Sequence, residues 1–581
     1  MSLGLDPQLL RRALAWRDSD PDPQTRAELE RLIERAAAEE LAECLGPELD
    51  FGTAGLRGMV GPGPARMNRA VVMRAARALG EQILARSNGP AHVVVGYDAR
   101  TNSRAFAEAA AGVFLAAGLG VRWFERAVPT PLVAYATRRL GAAGAVVITA
   151  SHNPREDNGL KAYDAAGLQL TSPADSEVEE RRAALPGASA IACLPLTAGG
   201  EALVPVGSEV EAAYLDELEA SLPPSVQERG APPLRIAYTP LHGVGASLVQ
   251  RAFARRPGFV LEPVLEQLEP DGSFPTTPRP NPEEPGTLDR VLALGAATGA
   301  ALALANDPDA DRLCAAARTA AGDLVVLSGN DLGVLLADFV LSLSPEHTQP
   351  LLVTSIVSTP LLAKIAAEHG ARFERTLTGF KWIWLAALTL EAQGKVRFAF
   401  GCEEALGYSI GHLVRDKDGI AAAVWLAELA ARCQARGITL LERLDELHVQ
   451  HGAWVSAQRS LIRRGSAGSA AIRRMMDGLS NAVPSELASL RCEEVVDYRE
   501  GAAGRPAWLG SAALFELRFE SSLRLLVRPS GTEPKLKIYA DVSEPVASGE
   551  PPQAARDRAR ARAQAALDEL VEHLEGNEPS R

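Results

Sequence analysis

The chain has 581 residues, 47% of them hydrophobic and 23% charged, with a net charge of −13. That length fits about four globular domains, and the negative charge disfavours nucleic acid and anionic membranes as partners. No apolar run approaches the roughly 18 to 20 residues of a membrane helix; the start LLRRALAWRDSD lacks a leader pattern; and the six cysteines show no metal-finger spacing, so free thiols in a cytoplasmic protein are expected.

A helical N-terminal extension precedes Phe51-Gly52-Thr53-Ala54-Gly55-Leu56-Arg57-Gly58, a glycine-rich turn that carries Arg57. Three segments of one layout follow: strand, loop, helix, strand, loop, helix, strand, polar motif. The first runs from VVVGYDARTNSRAFAEAAAGVFLAAG to the strand AVVIT and Thr149-Ala150-Ser151-His152-Asn153-Pro154. The second runs from LRIAYTPLHGVGASLVQRAFARR to ALALA and Asn306-Asp307-Pro308-Asp309-Ala310-Asp311-Arg312. The third runs from LLVTSIVSTPLLAKIAAEHG through TLTGFKWI to VRFAF and Gly401-Cys402-Glu403-Glu404-Ala405-Leu406-Gly407-Tyr408. Alternating strands and helices imply α/β domains with mixed, largely parallel sheets. The expected domains are 1–206 (with the extension), 207–324, 325–455, and an α+β domain over 456–581 whose strands are LFELRF, LRLLV and LKIYADV. Ligands gather beyond the carboxyl ends of such strands, where all three polar motifs fall, so a central cleft shared by the domains is expected.

Ser151 is a nucleophile candidate that needs a neighbouring base or metal; His152 adjoins it and Lys161 follows in EDNGLKAY, although Ser-x-Asn-Pro is also an ordinary turn former. Asp307, Asp309 and Asp311 alternate directly after a buried-type strand. Like charges so close repel unless a cation neutralises them, and an all-oxygen set selects a hard ion such as Mg²⁺; a solvated acidic turn is the alternative. A calcium-binding EF-hand is excluded, because Arg312 and Arg318 stand where its glycine and final glutamate belong. An aspartyl-phosphate enzyme using Asp307 stays open. Glu403 and Glu404 suit sugar hydroxyls, or equally the acidic first turn of a helix. Arg528-Pro529-Ser530-Gly531-Thr532-Glu533-Pro534-Lys535, with Lys537 beyond, combines the donors that hold a phosphate dianion.

Taken together, GTAGLRG, TASHNP, DPDADR, GCEEALGY and RPSGTEP resemble, in order and domain by domain, the α-D-phosphohexomutase superfamily of phosphoglucomutases and phosphomannomutases, and within it the phosphoglucomutase and phosphopentomutase branch. The resemblance implies a magnesium-dependent phosphosugar mutase of the isomerase class. Ser151 matches its phosphoserine, with Asp307, Asp309, Asp311 and a phosphate oxygen on Ser151 around Mg²⁺. Arg57, His152, Lys161 and Lys381 match positions around the reacting hydroxyl. Glu403, with Glu404 beside it, matches the sugar-reading carboxylate, and Arg528, Ser530, Gly531, Thr532 and Lys535 fall in the loop for the phosphate that stays. Many relatives have G-E-x-S-G-x in the sugar loop, whereas Ala405-Leu406 stands here.

The implied reaction interconverts glucose 1-phosphate and glucose 6-phosphate through a hexose 1,6-bisphosphate, which is both intermediate and activator. Pentose or mannose phosphates turned over by the same mechanism are the alternative substrates, and a non-catalytic sugar-phosphate sensor the less favoured class. His152, Lys161 and Lys381 remain alternative acid or base groups. The expected partners are small sugar phosphates, and the oligomeric state is left open.

Overall fold

Asp6-Pro7 and Asp22-Pro23 open the first two helices, Pro7–Ser19 and Pro23–Glu34. Each aspartate accepts a backbone N–H two or three residues on, from Leu9 at 2.9 Å and Gln24 at 2.9 Å, and each proline sits in the first turn, where its missing N–H has no helical partner to lose. The computed structural model describes residues 5–52, 55–226, 233–345, 347–463, 465–529 and 535–576.

A six-stranded sheet follows the helical extension, in the order β1 (Leu56–Met59), β5 (Asp157–Asp164), β4 (Gly144–Ile148), β2 (His92–Tyr97), β3 (Gly120–Trp123), β6 (Leu203–Pro205). Strand β2 is parallel to β3 and β4, and both β2 and β4 are nearly all buried apolar, as parallel strands covered on two faces must be. Gly96 marks the closest approach of the covering helix Thr130–Arg139: a Cβ there would stand 2.5 Å from a Val133 methyl. Strand β5 returns antiparallel to β4 and places Lys161 opposite Val147, near the end of β4 that carries Ser151. The EDNGLKAY stretch is a strand that sequence patterning does not reveal; its polar first half hides the alternation.

The second sheet has the order β11 (Leu324–Val326), β10 (Leu313–Arg318), β9 (Leu302–Asn306), β7 (Leu234–Thr239), β8 (Phe259–Pro263), with β7 parallel to β8 and β9. All five residues of β9 are buried, and the chain leaves it directly into the aspartates. A third set of strands, β12 (Gln349–Ser355) flanked in parallel by β13 (Arg372–Thr376) and β14 (Val396–Glu403), repeats the arrangement.

By its internal packing the chain forms two bodies. One holds residues 1–316, 321–326 and 407–431; the other holds 317–320, 327–406 and 432–581. Residues 407–431, with β15 (Gly407–Ile410) and most of the helix Gly419–Ala435, are tied into the first body by buried polar bonds. Tyr163 and Gln169 donate to Asp416 at 2.8 and 2.7 Å, Tyr214 to Asp418 at 2.8 Å, and Arg256 bonds Glu428. At Gly419 an added Cβ would stand 2.2 Å from the carbonyl oxygen of Arg312, so the segment lies against the backbone of the aspartate loop.

The C-terminal sheet is antiparallel throughout, in the order β16 (Ala453–Ile462), β21 (Lys535–Glu544), β20 (Arg524–Pro529), β19 (Phe515–Phe519), β18 (Leu490–Asp497), β17 (Glu486–Leu487). The helix Pro552–Gly576 covers it with an apolar stripe that includes Ala559, Ala563, Leu567, Leu570 and Leu574. Three α/β layers and a C-terminal β-rich α+β layer are thus the architecture expected from sequence. Strands β16, β17 and β18 add to the three strands expected there.

Within the second body a buried carboxylate links β13 to the C-terminal sheet. Glu516 accepts from Arg375 at 2.8 Å, Tyr498 at 2.8 Å and Arg518 at 3.1 Å. Burial alone would raise its pKa, but Arg375, Arg524 and Arg518 outweigh that and hold it at about 2. A carboxyl depressed in the folded state stabilises fully above its unfolded value near 4.5 and loses that contribution as pH falls towards 2. Glu516→Gln is expected to cost about 3–5 kcal/mol at neutral pH, because the guanidiniums lose their counter-charge. Urea midpoints measured across that acid range should fall more steeply for the parent chain than for the variant.

Candidate active site

Ser151 stands two residues beyond Thr149 at the end of β4, and the Thr149 hydroxyl accepts its backbone N–H at 2.8 Å. Its φ of +52° lies in the left-handed region, which for a residue with a Cβ costs about 1–2 kcal/mol. This conformation accompanies an inward-facing hydroxyl: Ser151 is 1% exposed, and its Oγ donates to Asp307 Oδ2 at 2.6 Å and lies 3.1 Å from His152 Nδ1. Ser151, His152 and Asp307 therefore meet, which joins two of the three polar motifs.

The aspartate loop is folded by its own polar groups. Asp307 Oδ1 accepts the Arg312 N–H at 3.0 Å, the Asn306 amide donates to the Arg312 carbonyl at 2.6 Å, and Tyr238 donates to the Asn306 amide oxygen at 3.0 Å. Ala310, at φ +57°, completes the turn. Asp309 sits at the N-terminus of the helix Thr130–Arg139, where Thr130 donates its hydroxyl to Oδ2 at 2.7 Å and its N–H to the main-chain carbonyl at 3.0 Å. Lys161, on β5, donates to Asp309 Oδ2 and Asp311 Oδ2, both at 2.7 Å, and Lys417 approaches Asp311 at 3.1 Å. Lys161 and all three aspartates are at most 1% exposed.

Opposite forces set the protonation of this cluster. Burial, then the charges of Asp309 and Asp311, push Asp307 up to about 8. Burial would also raise Asp309 and Asp311, but Lys161 holds both below the usual carboxylate range, with Lys417 assisting at Asp311. Burial, followed by Arg312 and Arg57, lowers His152 well below an ordinary imidazole.

Asp309 Oδ1 and Asp311 Oδ1 are buried and accept no hydrogen bond. One oxygen from each of the three aspartates falls within 4.8 Å of the others. Two orphaned carboxylate oxygens in an all-oxygen cluster fit a hard divalent cation.

Arg57, on β1, donates to the Asn153 side chain at 3.1 Å and so belongs to the same group. Glu403, Glu404, Lys381, Arg528 and Lys535 lie in the second body. Glu403 ends β14 and accepts the Gly379 N–H at 2.6 Å; Gly379, at φ +123°, occupies a conformation open to glycine. Lys381 follows in the first turn of the helix Phe380–Ala392, its ammonium 5.5 Å above the Trp382 ring. Glu404 accepts from the Ser355 hydroxyl at 3.0 Å. Arg528, on β20, donates to the Tyr539 hydroxyl at 3.3 Å, and Lys535 opens β21. Ser530, Gly531 and Thr532 lie outside the described residues.

Sequence reasoning missed Lys417 and Thr130. Each stands in a stretch with another plain reading: RDKDG looks like a charged loop, and PTP like a helix start. A cation flanked by two acids after an apolar strand was the signal available for Lys417.

Models of the phosphoglucomutase/phosphomannomutase α/β/α domains I, II and III match residues 48–185, 212–322 and 328–449. The chain is 34% identical over 609 residues to a phosphopentomutase of Pongo abelii, spanning 99% of this chain and 96% of that protein. It is 36% identical over 513 residues to a probable phosphomannomutase of Haemophilus influenzae, spanning 87% and 97%. Among solved structures, a putative phosphomannomutase from Thermus thermophilus superposes with a TM-score of 0.66 at 25% identity, over 91% of this chain and 100% of that one.

Replacing Asp309 by Asn removes charge from the cation set and leaves Lys161 with one full counter-charge fewer. Mg²⁺ affinity, measured by titration calorimetry, is expected to drop by about tenfold or more. An unchanged affinity would mean that the cluster is an internal ion-pair knot only.

Proposed function

We propose that this chain, which belongs to the phosphoglucomutase/phosphomannomutase family, performs its sugar-phosphate mutase reaction through a phosphorylated Ser151, with pentose phosphates preferred over glucose phosphates. The observation that carries the serine mechanism is the 2.6 Å contact between Ser151 Oγ and Asp307 in a buried oxygen cluster. An aspartyl-phosphate enzyme has no need for a serine held there in a left-handed turn.

In the forward half-reaction the free hydroxyl of a sugar monophosphate attacks the phosphorus on Ser151. The new sugar O–P bond forms as the Ser Oγ–P bond breaks, giving a sugar bisphosphate. The proton lost by the sugar hydroxyl is returned to a sugar oxygen in the second half-reaction, when the other phosphate moves back to Ser151. His152, 3.1 Å from Ser151 Oγ, is the group we assign to proton exchange at that oxygen. Lys161 is held by two carboxylates, so its charge is oriented before substrate arrives. Arg57 supplies a second cation beside the serine loop. Asp307, Asp309 and Asp311 would hold Mg²⁺, whose chemistry is the neutralisation of charge on a transferring phosphoryl group.

In the second body we assign Glu403 and Glu404 to sugar hydroxyls. The Gly379 N–H donates to Glu403 and the Ser355 hydroxyl to Glu404, so the carboxylates are oriented in advance. Arg528 and Lys535, with Ser530, Gly531 and Thr532, would bind the phosphate that stays, and Lys381 is kept near the reacting hydroxyl. The pentose preference rests on two supports: the nearly full-length similarity to a phosphopentomutase, and Ala405-Leu406 in the sugar loop, where Leu406 is buried at φ +63°. Glucose phosphates, ranked first from sequence, are the second reading, favoured by the same carboxylate pair. No helix among the described residues is long and apolar enough to cross a membrane, and we place the reaction in the cytoplasm.

Mass spectrometry of the native chain is expected to find one phosphate, on Ser151. Ser151→Ala should lower turnover by several orders of magnitude, to about 10⁻³ of the parent or less. A fully active alanine variant would end the serine mechanism. The sugar is decided separately, by kcat/KM for ribose, deoxyribose, glucose and mannose 1-phosphates with a trace of bisphosphate. A glucose value above both pentose values would restore the first ranking, and Glu403→Gln leaving all four ratios unchanged would move specificity elsewhere.

A further inference from the structure

We infer that Arg100 is the positioning residue for Ser151: its guanidinium, clamped against a turn of the second sheet's domain, fixes the backbone of the phosphoserine loop. Four carbonyl oxygens of that loop converge on one side chain. Nη2 donates to Ser151 at 2.7 Å and Asn153 at 2.5 Å; Nη1 donates to Pro154 at 2.7 Å and Asp157 at 3.0 Å. Behind it, Asp98 Oδ2 lies 3.4 Å from Nε, and Asp98 Oδ1 is fixed in turn by Ser103 at 2.6 Å and the Arg100 N–H at 2.9 Å. Both side chains of the pair are wholly buried.

The four bonds come from the two Nη groups of a planar fork, whereas an ammonium is a point charge with three donors. The bonds run to main-chain oxygens, and their effect is on the shape of the turn. Ser151 is held at φ +52°, a conformation its own backbone does not favour, so neighbouring interactions must over-determine it. The Thr149 hydroxyl does so from the N–H side; Arg100 does so from the carbonyl side.

The second domain reaches the same guanidinium. The ring of Phe274, fully buried at φ +45°, lies under it with 5.1 Å between the guanidinium carbon and the ring centre. Gly272 pairs with Arg100 through a backbone bridge, and a Cβ on Gly272 would stand 2.2 Å from the Ala99 carbonyl oxygen. The Arg155 N–H donates to Pro278 at 3.1 Å. Residues 272–278 of the domain that supplies the aspartates therefore grip the loop that supplies the serine, and Arg100 lies at the centre of that grip. The Ser151–Asp307 distance depends on this junction as well as on the two motifs.

This inference rests on the serine mechanism proposed above. Its test uses the full chain in three variants: Arg100→Lys, Arg100→Ala and Phe274→Leu. For Arg100→Lys, kcat is expected to fall by about 10²-fold while KM stays within about threefold, since a misplacement near 1 Å is enough for such a loss. Hydrogen exchange in residues 149–158 should rise, with the thermal transition of the rest of the chain retained. Guanidinium at millimolar levels should restore part of the kcat of Arg100→Ala, and Phe274→Leu should show the same pattern more weakly. The inference is overturned by a parental kcat in Arg100→Lys, by a rise in KM with kcat unchanged, or by a kcat loss that follows the unfolded fraction and resists guanidinium. A parent chain with no phosphate on Ser151 would overturn the mechanism and this inference together. A phosphorylated parent with unaffected variants would overturn this inference alone.

Discussion

Lys161 donates from one ammonium to two buried carboxylates, 2.7 Å from each, and the arrangement around Ser151 depends on that. Three carboxylates cannot be buried side by side without counter-charge. The chain supplies it from distant places: β5 reverses direction to deliver Lys161, and residues 407–431 fold back to bring Lys417 to Asp311. The helix Thr130–Arg139 presents its N-terminus to Asp309. Each device lowers the cost of a cluster that would otherwise hold protons.

That compensation is incomplete in an informative way. Asp307 is pushed up to about 8 by burial and by its two charged neighbours, and one oxygen each of Asp309 and Asp311 lacks a hydrogen bond. A knot built only for stability would satisfy these atoms. The shortfall fits a cation as the missing partner, and it sits beside the hydroxyl of Ser151, which donates to Asp307.

The second body repeats the logic with neutral donors. The Gly379 N–H and the Ser355 hydroxyl donate to Glu403 and Glu404 respectively, so both carboxylates are oriented by the protein itself. Deeper in the same body, Glu516 among its arginines is charged and closed. The contrast is between carboxylates held by neutral donors and one neutralised by guanidinium charge.

Much of this was legible in the residues alone. Apolar strands such as AVVIT and ALALA, each running straight into a polar motif, announced parallel sheets with functional groups beyond their carboxyl ends, and the order of TASHNP, DPDADR and RPSGTEP announced the family. Less legible were strands whose pattern is set by partners. β16 and β18 are half exposed and rich in polar residues, and they become strands because the edges of β21 and β19 are there to pair with them. Lys417, Thr130 and Arg100 were missed as site residues for a related reason: each acts on atoms more than fifty residues away, and Arg100 acts on backbone oxygens that leave no mark in the sequence. The chemical identity of the serine and the aspartates is a property of short stretches, which sequence determines directly. Their separation of 2.6 Å, the left-handed turn at Ser151 and the charges that neutralise the cluster come from strand order and long-range packing, and only the tertiary structure could decide them.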